Sequence, residues 1–425
     1  MDNTVQNKAV SWRAWFMWGL GASFFFVMYL ARMSPGVMSI EIMKEFQLRG
    51  VAMGGLSMAF FYPYVLMQIP AGILVDRYGP RFALIFAVFT CAIASYLFSH
   101  VESYSMAMLS RTLLGLGASF AFVCALKLAA VWFPPERIGF LAGLTQTLGM
   151  LGAASGEKPV AAVAYLVGWR STLQIEAILF LLLGIVVIFF AHTPKRTTPE
   201  HTDHAELATV LHGLKKVLQN PYTWLAGLYA GLLFAPTAAF AEMWGNYFLR
   251  ERYGFDIEQA ALCIGMVFLG WGIGGPIAGW ISDQSGRRKP VMLMSPLFGL
   301  LQLTIIIFKK LPVWLLMIAF WAYGMTNTGV VIAYAMASEI NPRYVAGISL
   351  GVANMLSILI GALFEPLIGW LLDILTDSTA IASYSQDDFR KALTLLPLSF
   401  IASVICWYFV RETFCRPTIE EKPLK

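Results

Sequence analysis

A long apolar segment is directly followed by Gly72-Ile-Leu-Val-Asp76-Arg77-Tyr-Gly79-Pro-Arg81. A second stretch of the same design, Gly279-Trp-Ile-Ser-Asp283-Gln-Ser-Gly286-Arg287-Arg288, follows another apolar segment in the second half of the chain. Each combines a carboxylate and arginines with glycines, which permit a sharp turn and a close approach of helices. Because the design recurs at an equivalent place in each half, it predicts an internal structural repeat.

The composition around these two stretches is typical of a membrane protein. Of the 425 residues, 58% are hydrophobic and 13% are charged, whereas soluble domains usually carry about 25% charged residues. A chain with so little polar surface needs a bilayer as the solvent for much of its length. Apolar segments long enough to cross a hydrocarbon core of about 30 Å as helices are predicted at 13–38, 52–75, 81–99, 104–132, 139–165, 168–192, 221–249, 257–281, 290–308, 312–338, 344–373 and 389–411.

The longest polar interval divides these twelve predicted spans into six and six. We therefore expect a first six-helix bundle over residues 1–192, a cytoplasmic linker over 193–220 and a second six-helix bundle over 221–425. Within the linker, leucines and valines at helical spacing between Ala205 and Gln219 favour a short surface helix.

The distribution of basic residues predicts the orientation in the membrane. An even number of spans places both termini on one side, and lysine and arginine are more frequent in the loops on that side, which indicates cytoplasmic termini. The first apolar segment is too long for a signal-peptide core and is followed by no small-residue cleavage site, so we expect it to be retained. Short loops, and outer loops without glycosylation sequons, favour a bacterial inner membrane.

The two repeated stretches resemble the GxLxDRxGxR(R) signature of the major facilitator superfamily. Arg111-Thr-Leu-Leu-Gly115-Leu-Gly117 is similar to the RxxxGxG motif of that family, and Gly149-Met-Leu-Gly152-Ala-Ala-Ser-Gly156 is similar to its glycine-rich antiporter-like motif. The chain departs from the latter motif at Glu157-Lys158-Pro159, so antiport is not carried over. The resemblance implies an all-α membrane protein with twelve transmembrane helices in two pseudo-symmetric six-helix bundles. It also implies gating by Asp76, Arg77, Arg81, Asp283, Arg287 and Arg111.

The end of the first span, Tyr29-Leu-Ala-Arg32-Met-Ser, resembles the first helix of organic-anion and phosphate-ester carriers in the superfamily. The arginine faces the substrate in those carriers, which implies that Arg32 binds a carboxylate or phosphate here. We expect Lys158 to assist it and polar side chains to complete the site; the predicted substrate-binding set is Arg32, Tyr29, Lys158, Gln146 and Asn354.

Ionisable residues inside predicted spans form the second group of candidates, since a charge in a bilayer is costly and usually faces a cavity or a partner. Counted along the spans, most of them lie at a similar depth. The basic groups belong to the first half, whereas Glu242 and Glu365 belong to the second half and have no intramembrane base beside them. An unpaired buried carboxyl suits a proton carrier, and the predicted proton-coupling residues are Glu242, Glu365 and Glu157.

Structural interpretations remain open for the same residues. Arg32 and Glu157 are candidates for an ion pair between neighbouring spans, and Arg111 for a packing and polar network. Glu157 has Lys158 or Arg111 as a possible partner, while Glu242 and Glu365 would simply be hydrated if they faced an outer vestibule. Glu176 is more typical of a helix-packing residue.

These observations favour a secondary active transporter that moves a small organic anion or zwitterion by alternating access, coupled to protons. No P-loop, catalytic triad or metal motif occurs in the sequence, so we expect no enzyme activity, no cofactor and no metal site. The basic residues lie in short loops, which argues against nucleic acid. We expect a monomer whose partners are a small molecule, H⁺ and lipid. Two alternatives stay open: an exporter of drugs or siderophores, and a non-transporting membrane receptor or sensor.

Overall fold

The computed structural model describes residues 11–134, 137–192, 207–342, 345–376, 381 and 383–416, all but a few of them with their side chains. The helices of the first half are α1 (Trp12–Val37), α2 (Ser39–Glu45), α3 (Gly50–Leu66), α4 (Gln68–Tyr78), α5 (Pro80–Ser99), α6 (Tyr104–Ala118), α7 (Ala121–Trp132), α8 (Ile138–Ser155) and α9 (Lys158–Phe190). A linker helix, α10 (Leu207–Gln219), precedes the second half.

The second half begins with α11 (Pro221–Pro236), a π-helix (Thr237–Trp244) and α12 (Gly245–Tyr253), which together form one long segment. The remaining helices are α13 (Ile257–Ser285), α14 (Lys289–Phe308), α15 (Val313–Thr326), α16 (Gly329–Glu339), α17 (Ala346–Leu375), α18 (Gln386–Leu393) and α19 (Leu395–Phe409). Several predicted spans therefore consist of two or more shorter helices.

The number of membrane crossings follows from length and apolar character. Among the described residues, ten helical segments are long and apolar enough to cross a bilayer, and several of them combine two or more of the numbered helices. Helices α3 and α4 together form a further span that bends by 48°. One of the ten, Phe140–Phe190, has 51 residues, which at about 1.5 Å per residue is more than twice the hydrocarbon thickness. Gly168 divides it, because its φ of 81° and ψ of 162° are not helical. Counted as two spans, it brings the described part of the chain to twelve candidate spans, and the predicted all-α membrane fold is confirmed.

Interruptions within the spans occur where the sequence disfavours a continuous helix. Pro63 lies in the last turn of α3, just before the bend to α4, and Pro236 ends α11 just before the π-helix. Proline removes a backbone donor and clashes with the preceding turn, so a helix bends or changes its hydrogen-bond pattern there. The π-helix contains Glu242, and such segments are frequent at functional sites.

The two halves meet through α3 against α17, α8 against α13, and α1 against the π-helix. We call the face opposite the start of α1 and the end of α19 the distal face. Towards this face, Gly36, Gly54 and Gly369 lie where a Cβ atom would overlap backbone atoms of the other half. Because glycine has no Cβ, the backbones of the two halves come into direct contact at these positions.

The helix predicted in the linker is present as α10, from Leu207 to Gln219, while Ala205 lies outside the described residues. Val217 of α10 packs with Val345 and Val352 at the start of α17. The Asn220 side chain then accepts a hydrogen bond from the Tyr222 backbone and caps α11. The linker helix is therefore fixed to the second half.

Candidate functional site

Arg32 and Glu242 form a buried ion pair between the two halves. Arg32 lies near the end of α1, and only 4% of its surface is exposed, compared with 5% for Glu242 on the π-helix. Nη2 of Arg32 donates to Oε1 at 2.8 Å and to Oε2 at 2.7 Å, and Nε donates to Oε2 at 3.0 Å. One turn further along α1, Gly36 packs against the Glu242 backbone, so the close crossing of the two segments positions the pair.

Aromatic and polar side chains surround the guanidinium group of Arg32. The ring centres of Phe61 and Tyr29 lie 4.8 Å and 5.2 Å from Cζ of Arg32. Tyr64 and Tyr334 lie within electrostatic range of the same group. Aromatic faces attract cations, and their hydroxyl groups can bind a polar solute. This environment suits a buried positive charge.

Two amide side chains extend this polar environment. Gln146 of α8 lies beside the Tyr29 hydroxyl. Gln68, at the start of α4, lies beside the Tyr64 hydroxyl in the same way. Both amides are half-buried, as are the rings of Tyr29 and Tyr334. Hydrogen-bonding groups from several helices therefore lie around Arg32.

A second set of charges faces across the halves without direct contact. Arg111 on α6 is buried over the ring of Phe60, at 5.0 Å from its centre, and its Nε and Nη1 atoms have no hydrogen-bond partner. Glu365 on α17 lies within electrostatic range of Arg111. The Ser57 hydroxyl is close to Glu365, yet neither carboxyl oxygen makes a well-formed hydrogen bond among the described residues. Uncompensated polar atoms of this kind are costly in a membrane.

The remaining buried carboxyl groups have uncharged partners. Glu176 on α9 accepts a hydrogen bond from the Ser34 hydroxyl of α1. Glu157, between α8 and α9, accepts a hydrogen bond of 2.9 Å from Nδ2 of Asn246 in the other half. Neither of the two basic residues considered as partners of Glu157, Lys158 and Arg111, forms an ion pair with it among the described residues.

A hydrogen-bonded cluster joins the halves at the distal face; we call it the distal gate, and it consists of Arg49, Gly50, Val51, Asp373 and Tyr384. The Asp373 carboxylate accepts hydrogen bonds from the backbone N–H groups of Gly50 and Val51 at 2.8 Å and 2.9 Å, at the start of α3. It also accepts one from the Tyr384 hydroxyl. A carboxylate is favoured at a helix N-terminus by the helix dipole. Nη2 of Arg49 donates a further hydrogen bond of 2.9 Å to the Asp373 backbone carbonyl. These contacts between the halves close the structure at the distal face.

The repeated loops lie at the opposite face, and the second copy forms a compact network. Arg288 donates to Asp283 at 2.6 Å and to Glu339 at 2.7 Å. The Glu412 carboxylate accepts hydrogen bonds from the backbone N–H groups of Arg288 and Lys289, at the start of α14. All these contacts are within the second half. Arg288, not its exposed neighbour Arg287, forms the ion pair with Asp283, and the gating role expected for Asp283 and Arg287 remains a prediction.

In the first copy of the loop, Arg81 donates to the backbone carbonyl of Ile188 at 2.9 Å, which ties α5 to the end of α9. Arg77 is exposed and lies over the ring of Tyr78. The side chain of Asp76 lies outside the described part of the structure. The gating role expected for these residues remains a prediction.

The structure brings together only part of the predicted substrate site. Arg32, Tyr29 and Gln146 are neighbours. Lys158 is exposed at the first position of α9, so it does not assist Arg32 here. The chain breaks at Glu157 instead of continuing as a helix, and the side chains of these two neighbours therefore differ in environment. Asn354 is half-buried on α17 and makes no hydrogen bond among the described residues.

Two expectations about the carboxyl groups need correction. Glu242 does have a partner, because the π-helix brings it against Arg32, 210 positions earlier in the chain. The considered ion pair between Arg32 and Glu157 is consequently absent from the described structure. Sequence reasoning also missed Asn246, Asp373 and Tyr384, which contact the other half. Their only signal was a polar side chain within or just beyond an apolar span.

Comparison with known proteins agrees with this architecture. The family model of the Major Facilitator Superfamily matches residues 20–366. The chain is 25% identical over 286 residues to the probable sulfoacetate transporter SauU of Cupriavidus necator, covering 64% of this chain and 65% of that protein. It is 24% identical over 427 residues to the probable galactarate/D-glucarate transporter GarP of Escherichia coli, strain K12, covering 90% and 91%.

A similar fold occurs among solved structures. A bacterial homologue of the human lysosomal transporter Spinster, in an inward-facing and unoccupied conformation, matches with a TM-score of 0.79 at 13% identity, covering 94% of this chain and 97% of that one. The family model spans most of the chain and agrees with the twelve-helix architecture. The chain therefore belongs to the Major Facilitator Superfamily and is a multi-pass membrane transporter, not an enzyme.

Proposed function

We propose that this protein is a secondary active transporter of small organic anions, coupled to protons. The observation that carries the proposal is Arg32, a buried guanidinium between the two halves whose only charged hydrogen-bond partner among the described residues is Glu242. The names of two relatives, which refer to sulfoacetate and to galactarate and D-glucarate, support an anionic substrate. Each of these compounds carries at least one carboxylate or sulfonate that a guanidinium binds through paired hydrogen bonds.

The ion pair suggests how binding and proton transfer are linked. A proton on a Glu242 oxygen removes its negative charge and weakens its hydrogen bonds with Arg32. The guanidinium group can then donate hydrogen bonds to the substrate carboxylate or sulfonate, with Tyr29 and Gln146 as further hydrogen-bond partners. When the substrate leaves, Glu242 loses its proton and pairs with Arg32 again. Arg32 thus binds the Glu242 carboxylate and the substrate anion in turn.

Glu365 is the second carboxyl group in the proposal. It is buried without a well-formed hydrogen bond, and the positive charge of Arg111 acts on it from the other half. We assign Glu365 a proton when the distal face is closed, and Arg111 the role of stabilising its ionised form when the halves reorient. A carboxyl group that is protonated in one state and stabilised by an arginine in the other can couple proton transfer to the reorientation of the halves.

The conformational part of the proposal is alternating access by rocking of the two bundles. With the distal gate closed, we infer that the substrate site communicates with the opposite face, where the repeated loops lie. With cytoplasmic termini in a bacterial inner membrane, this is the inward-facing state of a monomer. Asp76, Arg77, Arg81, Asp283 and Arg287 would then hold that inner face closed in the outward-facing state.

The test is a thermal unfolding assay on detergent-purified protein with sulfoacetate, D-glucarate, glucose and tetraphenylphosphonium. A ligand that binds the folded state raises Tm. We expect the two anions to raise Tm in the wild type and to lose this effect in Arg32→Lys, which keeps the charge but loses the paired donors. Arg252→Lys is the control, since Arg252 is also buried but lies at the end of α12, away from Glu242.

The other outcomes separate the rival functions. If tetraphenylphosphonium alone raises Tm, and does so equally in Arg32→Lys, an exporter of lipophilic cations replaces the proposal. If an anion raises Tm through Arg32 but is not taken up into proteoliposomes, a sensor is the better description. If neither anion changes Tm in the wild type at millimolar concentration, the assignment of this anion class is wrong.

A further inference from the structure

Glu157 and Asn246 form a contact between the halves that is separate from Arg32. Glu157 is fully buried at the break between α8 and α9, where its φ of −90° and ψ of −100° interrupt the helix. Asn246 is the second residue of α12 and is also buried. Nδ2 of Asn246 donates to Oε2 of Glu157 at 2.9 Å. The contact therefore exists only while these parts of the two halves are together.

The surroundings of Glu157 contain no positive charge to balance an ionised carboxylate. Its neighbour Lys158 is exposed, and α13 packs close by at Gly265, which has no side chain to offer. Of the described ionisable groups, only Glu242 acts on Glu157 electrostatically, and that group is another carboxyl. A buried anion without a cation to balance it is strongly disfavoured in a membrane.

Two oxygen atoms of the pair lack hydrogen-bond partners: Oε1 of Glu157 and Oδ1 of Asn246. Both are acceptors when the carboxyl group is ionised, so they cannot bond to each other. A single proton on Oε1 changes this, because the carboxylic acid then donates to Oδ1 while Nδ2 continues to donate to Oε2. Acid and amide would form a cyclic pair with two hydrogen bonds and no net charge.

From this arrangement we propose that Glu157 and Asn246 form a proton-binding site between the halves, occupied when the distal face is closed and released when it opens. A proton fits better than a metal ion, since the pair supplies two free oxygen atoms whereas calcium takes about six to eight. The proposal rests on the proposed alternating access and adds a third protonation site to Glu242 and Glu365. It predicts that acid favours closure of the distal face.

The test measures closure of the distal face directly in full-length protein in lipid nanodiscs. Spin labels at Glu102→Cys and Lys309→Cys, in a Cys415→Ser background, lie in exposed loops of different halves at this face. Their distance distribution gives the ratio of closed to open molecules from pH 5 to pH 8. One linked proton changes this ratio by at most about tenfold per pH unit. We expect the ratio to fall as pH rises.

Glu157→Gln is the decisive variant, because its amide can donate to Oδ1 of Asn246 at every pH. We expect this variant to remain closed at pH 8. A plot of the logarithm of the closed-to-open ratio against pH should lose the slope that one linked proton contributes. Glu258→Gln, a change at a half-buried carboxyl near the start of α13, should titrate like the wild type. If Glu157→Gln also titrates like the wild type, the proton site is elsewhere and the inference fails.

A second variant keeps the test valid if Glu157→Gln does not fold. Asn246→Leu removes both hydrogen bonds and keeps the branched shape of the side chain, and we expect it to reduce closure more at pH 5 than at pH 8. A greater loss at pH 8 would mean that Asn246 supports an ionised Glu157, which contradicts the proposal. Closure that follows Na⁺ concentration instead of pH, at constant ionic strength, would assign the pair to sodium and overturn it as well.

These measurements contain no organic anion, so they are independent of the thermal assay on Arg32. Loss of anion binding with an intact Glu157 effect would reject the proposed substrate class only. An intact anion response with no Glu157 effect would reject only the proton site.

Discussion

Gly54→Ala should open the distal face by separating α3 from α17. A Cβ atom at Gly54 would lie 2.5 Å from Cα and 2.6 Å from N of Pro366, and 2.7 Å from the Glu365 carbonyl oxygen. All three are backbone atoms, which cannot rotate away as a side chain does. Ordinary contact begins at 3.4 Å, so the two helices must move apart by about 1 Å.

The expected magnitude follows from the cost of overpacking a well-packed contact, which is about 1 to 3 kcal/mol. The open state does not contain this contact, so most of that cost falls on the closed state. A difference of this size changes the ratio of closed to open molecules by about 5-fold to 150-fold. The spin-labelled protein described above measures the ratio directly, and we expect a longer distance between the labels at positions 102 and 309.

Gly55→Ala is the matched control, because it adds the same methyl group one position later in the same helix. A Cβ atom there meets only the Tyr104 hydroxyl, at 3.1 Å and within the same half. We expect the distance distribution of this variant to resemble that of the wild type. If Gly54→Ala leaves the distribution unchanged, or if both variants shift it equally, the close crossing of α3 and α17 does not control closure.

Three carboxylates offer further tests. Glu242→Gln should tighten binding of D-glucarate, because the internal competitor for Arg32 is lost, while proton-driven accumulation decreases; weaker binding in a calorimetric titration would contradict the exchange model. Asp373→Asn removes a carboxylate from the N-terminus of α3, an interaction of about 0.3 to 2 kcal/mol, so the label distance should increase; an unchanged distance would show that the distal gate is incidental. Burial opposes ionisation of Glu412, but backbone N–H groups of Arg288, Lys289, Thr413 and Phe414 outweigh it and hold its pKa below the usual 4.5. This lowered pKa stabilises the fold above the usual value and less so as pH falls below it. Tm of the wild type should therefore decrease on acidification below about pH 4.5 more steeply than Tm of Glu412→Gln, and parallel pH profiles would refute this.

The membrane fold follows from the sequence because its determinants are local. Apolar segments of sufficient length, and the same loop design after Gly72 and Gly279, are readable without long-range information. The break at Gly168 was predictable as the point between two spans, although the structure joins the flanking helices at this residue. Most interruptions within spans were not expected, since hydropathy does not distinguish one helix from two in line.

The site was harder to predict because it depends on contacts between distant residues. Arg32 was identified from its position in an apolar span, but its partner Glu242 is reached only through the crossing of α1 and the π-helix. Counting along the predicted span places Lys158 at a depth similar to that of Arg32. In the structure the helix breaks at Glu157, and the Lys158 side chain is exposed. Asn246 and Asp373 carry no local motif, and their importance lies in which backbone or side chain they meet.

Uptake of D-glucarate and sulfoacetate into proteoliposomes under an imposed proton gradient tests anion binding by Arg32 and proton coupling together. We predict accumulation of at least one anion in the wild type, its collapse when a protonophore removes the gradient, and its loss in Arg32→Lys but not in Arg252→Lys. Uptake that proceeds equally in Arg32→Lys would contradict the assigned role of Arg32. Accumulation that is indifferent to the protonophore would contradict proton coupling.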